Sequence, residues 1–238
     1  MERSDLPDPE QTAAEFDRWA DNGRDASMAA GHRFGTEAVL APWRFGPGSV
    51  ALDVGCGNGW AVHLMLERGA SRGVGIDLSP GMVKRARTLA AGDPRLAFHV
   101  AAGDALPLAD DGVSHVLSVE SLYYYPDPGA ALREWSRVAA PGAQLGIMID
   151  LYRENPGSHP WIEALRPSGV RVHLLGASEL AALAEAAGWA EPSWRQVVDP
   201  RPVRTEAEFQ PDAYYPTYAS YRQYRELGSL VFHATLPG

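Results

Sequence analysis

The sequence of 238 residues has one cysteine, Cys56. An internal disulfide is excluded, and the composition fits a reducing, cytoplasmic compartment. No apolar run approaches the roughly 20 residues that a membrane-crossing helix needs. Basic residues are scarce: 21 Lys and Arg stand against 30 Asp and Glu, a net charge of −9. That balance argues against a nucleic-acid partner, because phosphate contacts need clustered cations. The stretch Met1 to Glu10 is polar and carries two prolines, so it does not read as a secretory signal. Repeats and low-complexity linkers are also missing. With 45% apolar and 21% charged residues, the composition is that of a soluble globular chain. Its length suits one α/β domain over residues 1–238, with some additions.

The chain is organised around Val50-Ala51-Leu52-Asp53-Val54-Gly55-Cys56-Gly57-Asn58-Gly59-Trp60. Val50 to Val54 reads as a short buried strand. Three glycines follow at alternate positions. Trp60 to Arg68 then reads as a helix with Ala61, Leu64 and Met65 on one face. Glycine admits positive φ and a close backbone approach, and a helix start offers free N–H groups to a ligand. The spacing is G-x-G-x-G, not the G-x-G-x-x-G of dinucleotide sites. Asp53 also stands two residues before the first glycine. Its carboxylate would repel a pyrophosphate and suits a ligand carrying an ammonium or a sulfonium. This stretch closely resembles motif I of class I S-adenosylmethionine-dependent methyltransferases.

Later segments keep the order of that resemblance. Arg72 to Asp77 reads as a second strand, and Asp77 stands where an acid binds ribose hydroxyls. Ser79 and Pro80 form a helix start, cap and first residue. The resemblance puts Leu78 and Met82 at the adenine, although Met82 also fits a core stripe. After a third strand near 95–100, Gly103-Asp104-Ala105 resembles the family's adenine-binding segment. A fourth strand, Val113 to Val119, leads to Glu120-Ser121-Leu122-Tyr123-Tyr124-Tyr125. Asp127 and Pro128 open the next helix, which ends in R-V-x-x-P-G ahead of a fifth strand near 144–149. Further on come a helix from a Ser178 cap to Ala187, a sixth strand near 193–198 and a last strand at 229–235. The resemblance implies a Rossmann-like α/β fold. Its seven-stranded, mostly parallel sheet runs in the order 3-2-1-4-5-7-6, with the last strand antiparallel.

Helices are expected at 10–21 and, whole or broken at Gly31 and Gly35, at 26–41. By resemblance residues 10–41 form a lid over the cofactor; Phe16 and Trp19 fit that role or simple packing on the sheet. Residues 150–175 and 199–225 read as cap or pocket insertions. Five tyrosines lie between Tyr214 and Tyr224, with 214, 218 and 221 sharing a helical face. They suit an aromatic pocket wall, a packed cap or a dimer contact.

The resemblance implies methyl transfer from S-adenosylmethionine to a small-molecule O, N or C nucleophile, with S-adenosylhomocysteine as product. Motif I, Asp53, Gly55, Cys56, Gly57, Asn58 and Gly59, is expected at the cofactor, joined by Asp77, Leu78, Met82, Gly103, Asp104, Ala105 and Glu120. Open α/β sheets bind ligands beyond the carboxyl ends of their strands. Glu120, Tyr123 and His159 follow such ends and are the candidate catalytic groups, with Asp150 beside them. His99, His173 and His233 show no metal spacing, and Asp150 with Asn155 makes too thin a ligand set, so no metal is expected. An NAD(P)-dependent oxidoreductase and a non-catalytic S-adenosylmethionine-binding protein are the alternatives. Partners beyond the acceptor are not expected; the chain reads as a monomer or homodimer without nucleic acid or membrane.

Overall fold

The computed structural model describes residues 6–238. The first residues of the expected N-terminal tail, 1–5, lie outside the described residues. Seven strands form one sheet: β1 (Val50–Val54), β2 (Arg72–Asp77), β3 (Leu96–Val100), β4 (Val113–Val119), β5 (Ala139–Ile149), β6 (Ala190–Val197) and β7 (Ser229–Thr235). Their order is β3-β2-β1-β4-β5-β7-β6. Pairs from β3 through β5 are parallel, whereas β7 runs antiparallel to both β5 and β6. The parallel ends of β1, β2, β4 and β5 therefore open on one edge of the sheet, where a ligand crevice forms.

Helices cover the faces: α1 (Pro9–Asn22), α2 (Arg24–Leu40), α3 (Trp60–Glu67), α4 (Pro80–Leu89), α5 (Pro128–Val138), α6 (Ser158–Leu165), α7 (Ala177–Ala186) and α8 (Tyr218–Leu227). Two caps expected from sequence are present. Ser79 Oγ accepts from Met82 N at 3.0 Å, and Asp127 Oδ1 accepts from Ala130 N at 2.9 Å. The largest fully buried side chains include Trp135 of α5 and Trp189 at the entry to β6. Trp189 Nε1 donates to the Leu132 carbonyl at 3.1 Å, so even this indole is satisfied.

One open expectation is decided and four others need correction. The helix at 24–40 is unbroken. Its Gly35 lies against β5, where a Cβ would come 2.7 Å from Met148 Cε, so the glycine serves close packing and not a break. β5 starts at Ala139; its ladder is irregular between Val113 and His115, and the regular parallel part from Gln144 is what the apolar run marked. α7 is capped at Gly176, with Ser178 inside the first turn; Glu154 and Glu179 supply the acceptors for the N–H groups of Ala177 and Gly176. β6 begins at Ala190, because Ala190 already pairs with Thr235. Tyr214 precedes α8, so it shares no helical face with Tyr218 and Tyr221.

α1 and α2 lie over the open edge of the sheet and are tied down by polar contacts. Asp17 Oδ1 accepts from Gly81 N at 2.8 Å and from Ser79 Oγ. Buried Asp25 accepts from Asn58 Nδ2 at 2.8 Å and pairs with Arg85 Nε at 2.8 Å. At the far end of α2, the Val39 carbonyl lies 2.8 Å from His233 Nε2 of β7.

Candidate active site

The glycine turn after β1 is held by the neighbouring strand. Gly55 N and Cys56 N both donate to the Ile76 carbonyl, at 2.8 and 2.9 Å. All three glycines have positive φ, but for different ends. A Cβ at Gly55 would fall 2.2 Å from Ser121 Cβ, and one at Gly59 would fall 2.6 Å from a ring carbon of Phe98. A Cβ at Gly57 would meet nothing within 4 Å. Gly57 is thus the glycine that leaves room for a ligand, while Gly55 and Gly59 serve packing.

Asp53 is 1% exposed and its Oδ1 has no partner. Burial, helped by the nearby Asp77 charge, raises its carboxyl to about 8. Asp77 Oδ2 accepts from Gly57 N at 2.8 Å and its Oδ1 from Ser79 N at 2.9 Å. Burial raises Asp77 to about 6 against the pull of those N–H groups. Two acids with such values in one cleft mark a place where a cation would be welcome. Burial also pushes the Cys56 thiol well up, so it is an inert filler of the turn.

One cavity joins most of the expected cofactor residues: Asp53, Gly55, Cys56, Gly57, Asn58, Asp77, Leu78, Met82, Asp104 and Glu120 all line it. Gly59, Gly103 and Ala105 do not. Gly59 packs on Phe98. Gly103 lies against Tyr125 and offers its carbonyl to Trp135 Nε1 at 2.8 Å. Ala105 is exposed, and Ala102 lines the cavity in this segment. Phe16, Trp19, Met28 and His32 of the two N-terminal helices close the cavity's other side.

Beyond the ends of β4 and β5 a second polar group assembles. Glu120 has a φ of 55°, a left-handed backbone unusual for its type. One of its carboxylate oxygens accepts from Tyr123 Oη at 2.7 Å, the other from Asp150 N. Burial first, then the Asp150 charge, holds its carboxyl well above the usual range. Asp150 Oδ2 accepts from Tyr224 Oη at 2.9 Å, and its Oδ1 is buried without a partner. His32 Nε2 lies 3.9 Å from Glu120 Oε2 and 3.8 Å from Asp150 Oδ2. Burial lowers the His32 imidazole, against the pull of Asp150, and so favours its neutral form.

Of the candidate catalytic residues, Glu120 and Tyr123 are therefore together at the cavity. His159 is exposed in the first turn of α6 and does not line this cavity. His32 was not singled out from sequence, and nothing in its spacing announces it. No metal was expected, yet the ligand atoms of His32, Glu120 and Asp150 lie within 4.8 Å of one another, a set able to hold a divalent ion.

A seven-stranded sheet of this order, with a glycine turn and two acids at its open edge, defines a Rossmann-like methyltransferase fold. Residues 52–147 match a family described as a methyltransferase domain. Methyltransferase GfsG of Streptomyces halstedii is 34% identical over 133 residues, 54% of this chain and 48% of that protein. The chloroplastic tocopherol O-methyltransferase of Arabidopsis thaliana is 34% identical over 119 residues, 49% of this chain and 33% of that protein. The matches thus span about half or less of these curated relatives. A solved methyltransferase, in complex with the Trm112 methyltransferase activator of Haloferax volcanii, is 31% identical. It superposes with a TM-score of 0.85, over 94% of this chain and 98% of its own. The chain belongs to the class I S-adenosylmethionine-dependent methyltransferases.

Proposed function

We propose that this protein transfers a methyl group from S-adenosylmethionine to a small-molecule acceptor. The observation that carries the reading is Asp53: a buried carboxylate with an unpartnered oxygen, beside a glycine turn whose middle residue faces open space. Such a cleft fits a ligand with a cationic head and a close approach to backbone. When bound, S-adenosylmethionine supplies a methyl carbon made electrophilic by its sulfonium. Asp53 and Gly57 would hold the cationic amino-acid part. Asp77 keeps lone pairs free beyond its two backbone donors, enough to accept from a ribose diol. Leu78, Met82 and Asp104 line the cavity where the adenine would lie.

The remaining groups act on the acceptor. Glu120, Asp150 and the neutral His32 present proton acceptors at the ends of β4 and β5. Tyr123 and Tyr224 donate to the two carboxylates and so fix their orientation. α1 and α2 cover the cleft and exclude water, which strengthens these electrostatic effects. Such a set of proton acceptors suits a nucleophile that must lose a proton before it attacks.

Calorimetric titration with S-adenosylmethionine, S-adenosylhomocysteine and NAD tests the assignment. Binding of both adenosyl ligands and none of NAD is expected. NAD binding alone would point to an oxidoreductase. Adenosyl binding without methyl transfer across a broad acceptor screen would favour a non-catalytic binding protein.

A further inference from the structure

A second cavity, of about 220 Å³, begins where the first one ends. Met28 and His32 line both, and Asp150 stands on the wall of the second. Its size exceeds the roughly 150 Å³ cavity known to admit benzene, so a substituted ring fits. Its lining combines three kinds of group. Asp150 and His32 lie next to the first cavity, with Glu120 behind them. Trp161 and Tyr224 form an aromatic wall, their rings stacked at 5.8 Å with an interplanar angle of 21°. Arg201 and Arg225 complete the lining and share a single acid: Asp199 Oδ2 accepts from Arg201 Nε at 2.6 Å and from Arg225 Nη1 at 3.4 Å. Two guanidinium groups against one carboxylate give that part of the lining a positive surplus.

The unsatisfied polar atoms follow the same division. Asp150 is 9% exposed, and its buried Oδ1 accepts from nothing. Arg225 Nε is buried and donates to nothing, and Trp161 Nε1 has only the Tyr215 hydroxyl beside it. Buried polar atoms are nearly always paired, so each orphan marks a ligand atom of the opposite kind. The acidic part lacks donors; the aromatic and basic walls lack acceptors.

We propose that this second cavity is the acceptor site, and that it takes a small ring-bearing amine with an acidic group at its other end. The inference rests on the methyl-transfer reading above and names its substrate class. An amine fits the acidic part better than a hydroxyl does. Asp150, Glu120 and His32 place three acceptor atoms within 4.8 Å of one another, and an ammonium supplies three donors where a hydroxyl supplies one. The ammonium also gives the two buried acids a cationic partner, which they lack except for the neutral His32. Trp161 and Tyr224 add a face for the ring and for the cation. The acidic tail accepts from Arg225 and Trp161.

The proton balance closes within the site. The ammonium gives one proton to His32 Nε2 and becomes a neutral amine. Its lone pair forms the N–C bond as the C–S bond breaks with its electron pair moving to sulfur. The product is the methylated ammonium, and His32 returns its proton to solvent.

Calorimetry on protein saturated with S-adenosylhomocysteine tests this with three probes: 4-(2-aminoethyl)benzoate, its alcohol counterpart 4-(2-hydroxyethyl)benzoate, and 2-phenylethylamine without the acid. The amino acid probe is expected to bind, and each of the other two more weakly by about tenfold or more. Asp150→Asn should cost the amino probe about tenfold or more while leaving S-adenosylhomocysteine affinity within about twofold. Arg225→Gln should lower it toward the level of 2-phenylethylamine. Equal binding of the alcohol and the amine, no binding of either amine, or unchanged affinity in both variants would overturn the proposal. So would tight Mn²⁺ binding, read by electron paramagnetic resonance and lost in Asp150→Asn, which would assign the three residues to a metal. Failure of S-adenosylhomocysteine to bind would count against the methyl-transfer reading instead, since the probes can be titrated without it.

Discussion

Asp53→Asn should make the ligand-free protein more stable at neutral pH, and the gain should shrink in acid. In the folded chain the Asp53 carboxyl is raised from 3.8 to about 8 by burial and by Asp77. The folded state therefore holds this proton more tightly than the unfolded chain does. Stability from it is full below the unfolded value and falls as pH rises toward the folded one. Between pH 5 and pH 8 the loss from this single group is about 4 kcal/mol. Asparagine has nearly the same shape and no charge to bury, so the variant should lack that part of the slope. Asp77, raised to about 6, contributes in the same direction and remains in both proteins. Urea unfolding of the two proteins at pH 5, 6, 7 and 8 measures the difference. The gap between their stabilities should widen by about 4 kcal/mol from pH 5 to pH 8. The variant should also bind S-adenosylmethionine more weakly, as the carboxylate that favours its cationic head is gone. Parallel stability curves would refute the claim that Asp53 is a buried acid awaiting a cation.

The glycine turn separates packing from binding: Gly59→Ala should destabilise the fold by about 1–3 kcal/mol through its clash with Phe98, measured by thermal unfolding. Gly57→Ala should keep most of the stability but weaken S-adenosylhomocysteine, and Gly57→Val should block it; normal binding by a folded Gly57→Val would reject the placement of the ligand. Asp77→Ala should weaken the same ligand by about 1–3 kcal/mol in calorimetry, since a charged acceptor is lost. Trp135→Phe removes the indole donor to the Gly103 carbonyl at a fully buried position and should cost about 1–3 kcal/mol in urea unfolding.

The strands that position the site were legible because their signals are local. β1, β2 and β4 are apolar runs closed by Gly, Asp or Glu, and their ends fall where those residues stand. Asp53 and Asp77 were legible for the same reason: each sits at a fixed place on its own strand. Ser79 and Asp127 declare their caps by the prolines that follow. His32 could not be found this way. It reaches Glu120 and Asp150 only because α2 docks on β5 and β7, through Gly35 against Met148 and Val39 against His233. No spacing along the chain encodes that docking. His159 failed in the opposite sense. It lies in a polar stretch after β5, where a site residue belongs, but the first turn of α6 leaves it facing solvent. Gly59 and Gly103 match a pattern by position; in the fold a Cβ at Gly59 would meet Phe98 and one at Gly103 would meet Tyr125.

The contact between α2 and β7 joins elements 194 residues apart along the chain, Val39 and His233. The parallel strands pair between nearer neighbours, whereas the seat of the helix carrying His32 is complete only when residues 229–235 lie between β5 and β6. Pairing at such separation along the chain is slow to form. The pocket is therefore completed after the framework, and a partly folded chain with β7 unpaired would hold the parallel sheet but only half of the surface that brings His32 to Glu120 and Asp150.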